Sequence, residues 1–395
     1  MEYNFSDRLK NLGGNAIREI FKLLAQPDMI SFAGGLPATD LLPCEDVARI
    51  TDEIMHGANA AKILQYGETE GYRPLREAAP LLLSRVGIKD VTVDKTLIIS
   101  GGQQGIDLTL KLFTNKGDVM LVESPTYLAA LHIAKTYELN VIGVKSDDDG
   151  INVEDLERKI IEHKPKVLYV VPTFSNPTGK TMKVEKRKAI AEMTAKYGVI
   201  VLEDDPYSEL RFEGDVVPAM KTFDKCGNII YVTSFSKTVS PGLRTGYAFA
   251  APEIIKKLTV GKQAVDVHTC ALSQAVITEF ITSGLLFENI EKAKPLYKAK
   301  KDAMIDGINK YMPKAFKHTN PQGGLFIWGE FENLDVVQLF PEVCKRKVAY
   351  VSGESFFADG SGRNTIRLNY SNATFEQIDK GMRILGDFFK ERIGE

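Results

Sequence analysis

The chain has 395 residues, 44% hydrophobic and 26% charged, long enough for two domains and ordinary for a globular protein. Its 50 Lys and Arg against 52 Asp and Glu leave a net charge of −2, which gives no electrostatic reason for a nucleic-acid or membrane partner. No apolar run reaches bilayer length, and MEYNFSDRLK lacks a signal peptide's apolar core; Cys44, Cys226, Cys270 and Cys344 lie far apart without metal-ligand spacing, so no metal is expected and a cytoplasmic location fits.

Taken in chain order, the first 45 residues carry one helical pattern at 16–25 and a turn, Ala33-Gly34-Gly35-Leu36-Pro37. They are too few to stand alone and are expected to pack on the C-terminal part, near the cleft. Apolar, β-branched runs then recur at 96–100, 118–123, 141–145, 166–171, 199–204 and 228–234. Helical spacing fills 104–113, 128–137, 153–162 and 184–197 between them. Short strands apolar on both faces and alternating with helices predict a mostly parallel sheet covered on both sides. A further strand at 245–250 follows after only ten residues, too short for a helical crossover, and reads as antiparallel. Beyond 251 come long helices at 252–267, 272–283 and 286–311, strands at 324–331, 349–352 and 365–370, and helices at 336–346 and 375–392. The expected organisation is a large α/β domain, 46–285, with a smaller α+β domain made of 1–45 and 286–395.

Four of the strand ends carry residues that an ordinary turn does not require, and strand ends are where open α/β sheets bind ligands. Ser234-Phe235-Ser236-Lys237 places an amine just past a buried strand, where desolvation and a neighbouring cation lower its basicity; Arg244 on the same loop has a planar fork suited to a phosphate. Ser100-Gly101-Gly102-Gln103 opens a helix, whose first N–H groups and dipole favour an anion. Glu203-Asp204-Asp205-Pro206-Tyr207 ends a strand with acids that are costly to bury without a cationic partner, such as a protonated ring nitrogen. Ser175-Asn176-Pro177 holds Asn176 extended, so that its amide can face the cleft. Each segment also has a plain reading: a solvated lysine loop, a helix start after a tight turn, an exposed Asp-Asp-Pro turn and an Asn-Pro turn.

Together and in this order, Ser-x-Ser-Lys…Pro-Gly-x-Arg-x-Gly and Asn-Pro-x-Gly make the chain resemble a fold-type I pyridoxal 5′-phosphate (PLP) enzyme of the class I/II aminotransferase family, over nearly its whole length. Within that family it is most similar to the branch of 2-aminoadipate, kynurenine and broad-specificity aromatic and branched-chain aminotransferases. The resemblance implies a PLP-transferase fold of type I, with a mostly parallel seven-stranded sheet in the large domain. It implies Lys237 as the Schiff-base lysine and proton shuttle, Asp204 as partner of the ring nitrogen, and Tyr207 and Asn176 as ligands of the ring oxygen. Tyr127 matches the aromatic that stacks on the ring, while Ser234, Ser236, Arg244 and the Gly102-Gln103 backbone match the phosphate cup. Many relatives carry a hydroxyl residue where Gly102 stands. Tyr66 matches a tyrosine given across a dimer interface to the phosphate, which implies a homodimer with shared sites. Arg367, a lone arginine in an apolar strand, matches the clamp for the substrate α-carboxylate, with an internal salt bridge as its plain alternative. Arg18 matches a mobile arginine for a second carboxylate and equally reads as a solvated helix residue; Gly35 would give backbone access to substrate.

The implied reaction is a ping-pong exchange of an amino group between an L-amino acid and a 2-oxo acid such as 2-oxoglutarate. A PLP β-lyase on the same scaffold is the alternative enzyme. A non-enzymatic PLP-sensing regulator is the third reading, against which stand the absence of a winged-helix segment and of a basic surplus.

Overall fold

The computed structural model of the protein describes residues 3–10 and 28–395. The expected helix at 16–25, with Arg18, lies outside the described residues. No helix among the described residues is long and apolar enough to cross a membrane.

β1 (Ile30–Ser31) stands apart from the large sheet. That sheet consists of β2 (Thr96–Ile99), β3 (Val119–Ser124), β4 (Asn140–Asp147), β5 (Gly150–Ile151), β6 (Val167–Val170), β7 (Ile200–Asp204), β8 (Ile229–Ser234) and β9 (Gly246–Phe249). Its order is β2-β9-β8-β7-β6-β3-β4-β5. Seven strands match the expectation; the eighth, β5, is a two-residue return on the end of β4, made by the Asp-Asp-Asp-Gly turn with Gly150 at φ +112°. β3, β4, β6, β7 and β8 are parallel, and β9 is antiparallel to both its neighbours, as its short connection requires. Edge strand β2 and central strand β7 both feed the two faces. Leu97 and Ile99 enter one apolar cluster while Ile98 enters another, and Leu202 and Val201 divide in the same way. Period-two side chains that are apolar on both sides need cover on both sides. Helices Gly102–Phe113, Leu128–Thr136, Val153–His163 and Val184–Tyr197 supply it where the spacing predicts them.

Two helices that the sequence reading leaves unassigned, Cys44–His56 and Arg73–Leu83, pack through Ile50, Leu75 and Leu82 onto Val276, Ile277 and Phe280 of helix Ala271–Thr282. Towards the C-terminus, β10 (Lys317–His318), β11 (Phe326–Glu330), β12 (Val348–Ala349), β13 (Val351–Ser352) and β14 (Thr365–Asn369) follow. An antiparallel sheet of order β10-β11-β14-β13 shares one apolar cluster with helices Leu285–Tyr311 and Phe375–Ile393, through Ile327, Ile366 and Leu368 on one side and Met304, Ile308, Met382 and Leu385 on the other. The strand expected at 349–352 is split: β12 pairs with β1, whereas β13 pairs with β14. Tyr350 sits at the break, its ring buried and its hydroxyl donating to Val336 O at 2.6 Å.

The segment after β1 is fastened along its length to the C-terminal part. Asn369 N donates to Phe32 O (2.8 Å), Ser371 Oγ to Leu36 O (2.6 Å), and Ala38 N to the Tyr297 hydroxyl (3.1 Å). These bonds hold Gly34 and Gly35 against the cavity described next.

Candidate active site

Residues that follow β2, β3, β6, β7 and β8, and the residue pair that precedes β9, meet at one edge of the sheet. With Gly34, Gly35, Phe326 and Arg367 they enclose a cavity of about 460 Å³. That volume suits one small ligand held on most sides.

One end of the cavity is built for an anion. Ser234 Oγ donates to Ser236 Oγ at 2.8 Å, and Arg244 reaches Ser236 Oγ at 3.4 Å and Ser100 O at 3.1 Å. The first turn of helix Gly102–Phe113 lies beside them, with its free N–H groups. Gly101 is required there: its φ is +86°, and a Cβ would come within 2.4 Å of Arg244 Nη2. At Gly102 the situation differs, since a Cβ would meet Asp204 Oδ1 at 3.5 Å and Val232 at 3.9 Å, both ordinary contacts.

The floor is a buried carboxylate. All three acids of Glu203-Asp204-Asp205 are nearly inaccessible (0, 5 and 2% exposed), so the exposed-turn reading of this segment fails. Strand alternation separates them. Glu203 accepts the Met220 and Lys221 N–H groups, Asp205 accepts from the Tyr231 hydroxyl and Ser208 N, and only Asp204 faces the cavity. Burial raises the Asp204 carboxyl to about 7, against the hydrogen bond from the Tyr169 hydroxyl, which lowers it, and the neighbouring charge of Asp205, which raises it. No cation pairs with Asp204 among the described residues.

Lys237 is half-buried, its Nζ donating to Gly35 O at 2.7 Å. Burial, then the charges of Arg367 and Arg244, lower its ammonium to about 8, the direction that a nucleophilic amine needs. Tyr127 and Tyr207 form walls of the same cavity.

Arg367 is 3% exposed on β14. Its Nη1 donates to Asn176 Oδ1 at 2.8 Å and its Nη2 to Ala33 O at 2.6 Å, while Nε has no partner among the described residues. The guanidinium lies over Phe326 at 4.3 Å and Phe356 at 5.0 Å. Among the described residues it has no carboxylate partner, so the internal salt bridge is not found there. Burial draws its pKa down to about 10. A buried guanidinium without an anion costs several kcal/mol by general estimates, and an incoming carboxylate offsets that cost. The Asn176 amide, held by Arg367, lines the same cavity as the Tyr207 ring.

Gly35, Gly102, Gln103, Tyr127, Asn176, Asp204, Tyr207, Ser234, Ser236, Lys237, Arg244 and Arg367, twelve of the residues singled out from sequence, thus share one cavity. Tyr66 does not join them. It is 81% exposed, with its ring edge-on to His268. Arg18 lies outside the described residues. Tyr169, Leu128, Val171 and Phe326 also line the cavity and were not anticipated. Only strand register across β6 and β7 could have pointed to Tyr169.

Two anion-seeking ends, a buried carboxylate between them and a weakly basic amine fit a phosphorylated aromatic aldehyde and a carboxylate-bearing amine. The family model for aminotransferases of class I and II matches residues 27–385. The chain belongs to that family. It is a PLP-dependent aminotransferase. An aromatic-amino-acid aminotransferase of Thermococcus litoralis is 40% identical, over 99% of this chain and 95% of its own length. A crystal structure of a Pyrococcus horikoshii kynurenine aminotransferase, in complex with PMP, superposes with a TM-score of 0.94 at 39% identity, covering 98% of this chain and 97% of that one. The α-aminoadipate aminotransferase of Thermus thermophilus, complexed with N-(5′-phosphopyridoxyl)-L-leucine, superposes with a TM-score of 0.91 at 34% identity, over 99% and 98% of the two chains. These likenesses are to whole aminotransferases of fold type I, which agrees with the sheet order and with the cavity at its edge.

Proposed function

We propose that this aminotransferase takes aromatic, branched-chain or 2-aminoadipate-type L-amino acids as donors and a 2-oxo acid such as 2-oxoglutarate as acceptor, both using the same cavity in turn. The buried Arg367, which has no anionic partner among the described residues, carries the reading, because it calls for a carboxylate on every substrate. The apolar walls Leu36, Leu128 and Phe326 suit an apolar or aromatic side chain, and relatives named for aromatic amino acids, kynurenine and aminoadipate support the same range.

When bound, PLP supplies an aldehyde that condenses with amines and a protonated ring that spreads the charge left by a departing proton. Asp204 would keep the ring nitrogen protonated, Tyr207 and Asn176 would hold the ring oxygen, and Tyr127 would cover the ring. Ser234, Ser236, Arg244 and the Gly102-Gln103 amides would hold the phosphate. The Lys237 amine would hold the cofactor through its aldehyde carbon and would serve as general base for the substrate α-proton. Arg367 and Gly35 orient the substrate, and Arg18 meets a second carboxylate when the substrate has one.

The assembly proposed is a homodimer, in which Tyr66 of each chain reaches the phosphate of the other. The exposure of Tyr66 (81%) and of nearby Leu64 (68%) supports this surface as an interface. The domain division 46–285 against 1–45 with 286–395, and a cytoplasmic location, belong to the same proposal. A screen of the twenty amino acids with 2-oxoglutarate and pyruvate tests the substrate class, with Arg18→Ala beside the wild type. Transfer from aromatic donors is expected, with dicarboxylic donors alone weakened in the variant. Activity confined to small polar donors would overturn the substrate class, and release of pyruvate from a cysteine conjugate without amino transfer would favour the β-lyase.

A further inference from the structure

The buried tyrosine of β6 stands in a position that the roles above leave unused. Tyr169 and Leu202 are opposed across the parallel pair β6–β7, and Asp204 lies two residues further along β7 on the same face. The tyrosine ring is fully buried, and its hydroxyl donates to Asp204 Oδ2 at 2.8 Å. The other oxygen, Oδ1, is the one that faces Gly102, where even a Cβ would stand 3.5 Å away. The carboxylate is therefore held by one oxygen and open at the other.

The geometry points to Tyr169 as the positioning residue of Asp204: its hydroxyl fixes the carboxylate plane and stabilises the ionised form, so that Oδ1 is aimed and charged for the ring nitrogen. The inference rests on the role proposed above for Asp204.

The physical reason is solvation. A carboxylate buried to this depth favours its neutral acid, and a neutral acid cannot hold a protonated ring nitrogen. Asp205, next along its own strand, pushes in the same direction, while Tyr127 and Tyr207 add no cation to Asp204's surroundings. The Tyr169 O–H donor is the one side-chain bond that opposes these influences among the described residues. It performs for the buried anion what water performs outside. Without it, the proton shared between Asp204 and the ring moves towards the carboxylate, and the ring loses the charge that makes it an electron sink.

Tyr169→Phe removes the hydroxyl and keeps the ring that fills the core. In cofactor-free protein, the infrared carboxyl band of Asp204, assigned by its loss in Asp204→Asn, is followed against pH. Its midpoint is expected to rise by about one pH unit in Tyr169→Phe. In the holoenzyme, kcat for an aromatic donor is expected to fall about tenfold with KM unchanged. Either effect without the other overturns the inference: a fall in kcat at an unmoved midpoint is a packing defect, and a moved midpoint at full kcat means that the bond does not act. Should Tyr169→Phe fail to fold, 3-fluorotyrosine at position 169, a more acidic donor of nearly the same size, must lower the midpoint, and an unmoved value overturns the inference equally. The infrared titration does not depend on turnover, so it separates this outcome from failure of the Asp204 assignment, which full activity in Asp204→Asn would reveal.

Discussion

Replacing Arg367 by lysine keeps the positive charge and removes the planar fork. In the structure two donors of the fork are committed to Asn176 Oδ1 and Ala33 O, at 2.8 and 2.6 Å, and Nε is left without a partner among the described residues. Phe326 and Phe356, 4.3 and 5.0 Å from the guanidinium carbon, fix its plane. A substrate carboxylate can then accept two charge-assisted bonds from one edge, whereas a lysine ammonium offers a single point of attachment. Loss of one such bond costs about 1.5–3 kcal/mol, so kcat/KM for phenylalanine should fall roughly 10- to 150-fold. The assay pairs phenylalanine with 2-phenylethylamine, which has the same ring and amine but no carboxylate. Turnover of the amine and affinity for PLP should stay near wild type. If the amine loses as much as the amino acid, or if phenylalanine loses less than about threefold, Arg367 is not the carboxylate clamp.

Lys237→Ala should abolish both amino transfer and the visible absorbance of the lysine–cofactor Schiff base, read by spectrophotometry; retention of either at the wild-type level contradicts its assignment. Asp204→Asn should lower kcat by several powers of ten, measured with saturating donor, and a near-normal value would move its role elsewhere. Labelling of Lys237 in cofactor-free protein, followed by mass spectrometry against pH, should rise with a midpoint near 8 instead of 10.5. Because folding lowers this pKa, the unfolded chain holds the extra proton between those two values, and the amine's contribution to stability grows as pH rises through that window. At the anion-binding end, Gly101→Ala drives a Cβ to 2.4 Å from Arg244 and should raise the PLP dissociation constant, whereas a Cβ at Gly102 meets only ordinary contacts, and Gly102→Ser should fold and bind PLP at least as tightly. Titration of both apoproteins with PLP checks the contrast, and equal weakening would contradict it.

The strand-end residues were legible because each interrupts an apolar run with a group that a turn does not need: Lys237 between Ser236 and Thr238, acids at 203–205, Arg367 in mid-strand. Which acid faces the ligand was less so. The choice of Asp204 came from resemblance, and it is strand alternation that turns Asp205 towards Tyr231 and Glu203 towards Met220. Tyr169 stayed hidden because one aromatic within Val-Leu-Tyr-Val is what any buried strand contains, and its partner lies on a different strand. The break at Tyr350 was equally invisible, since 349–352 is a sound strand by composition and only the competing β1 and β14 ladders divide it. Helices Cys44–His56 and Arg73–Leu83 carry clear apolar faces but stood outside the alternating pattern that organised the reading.

The reversed direction of β9 has a consequence for how this chemistry was assembled. Every parallel strand hands over the residues that come after it, but β9 hands over those that come before. The loop leaving β8 therefore never has to travel to the far edge of the sheet and back. Lys237 and Arg244 ride on one short arch with both feet planted in neighbouring strands, tied by Ser234↔Gly246 pairing at its base. An arch so anchored has little freedom to let the amine drift relative to the guanidinium, and lengthening it by even a few residues would loosen two ends of the cavity at once.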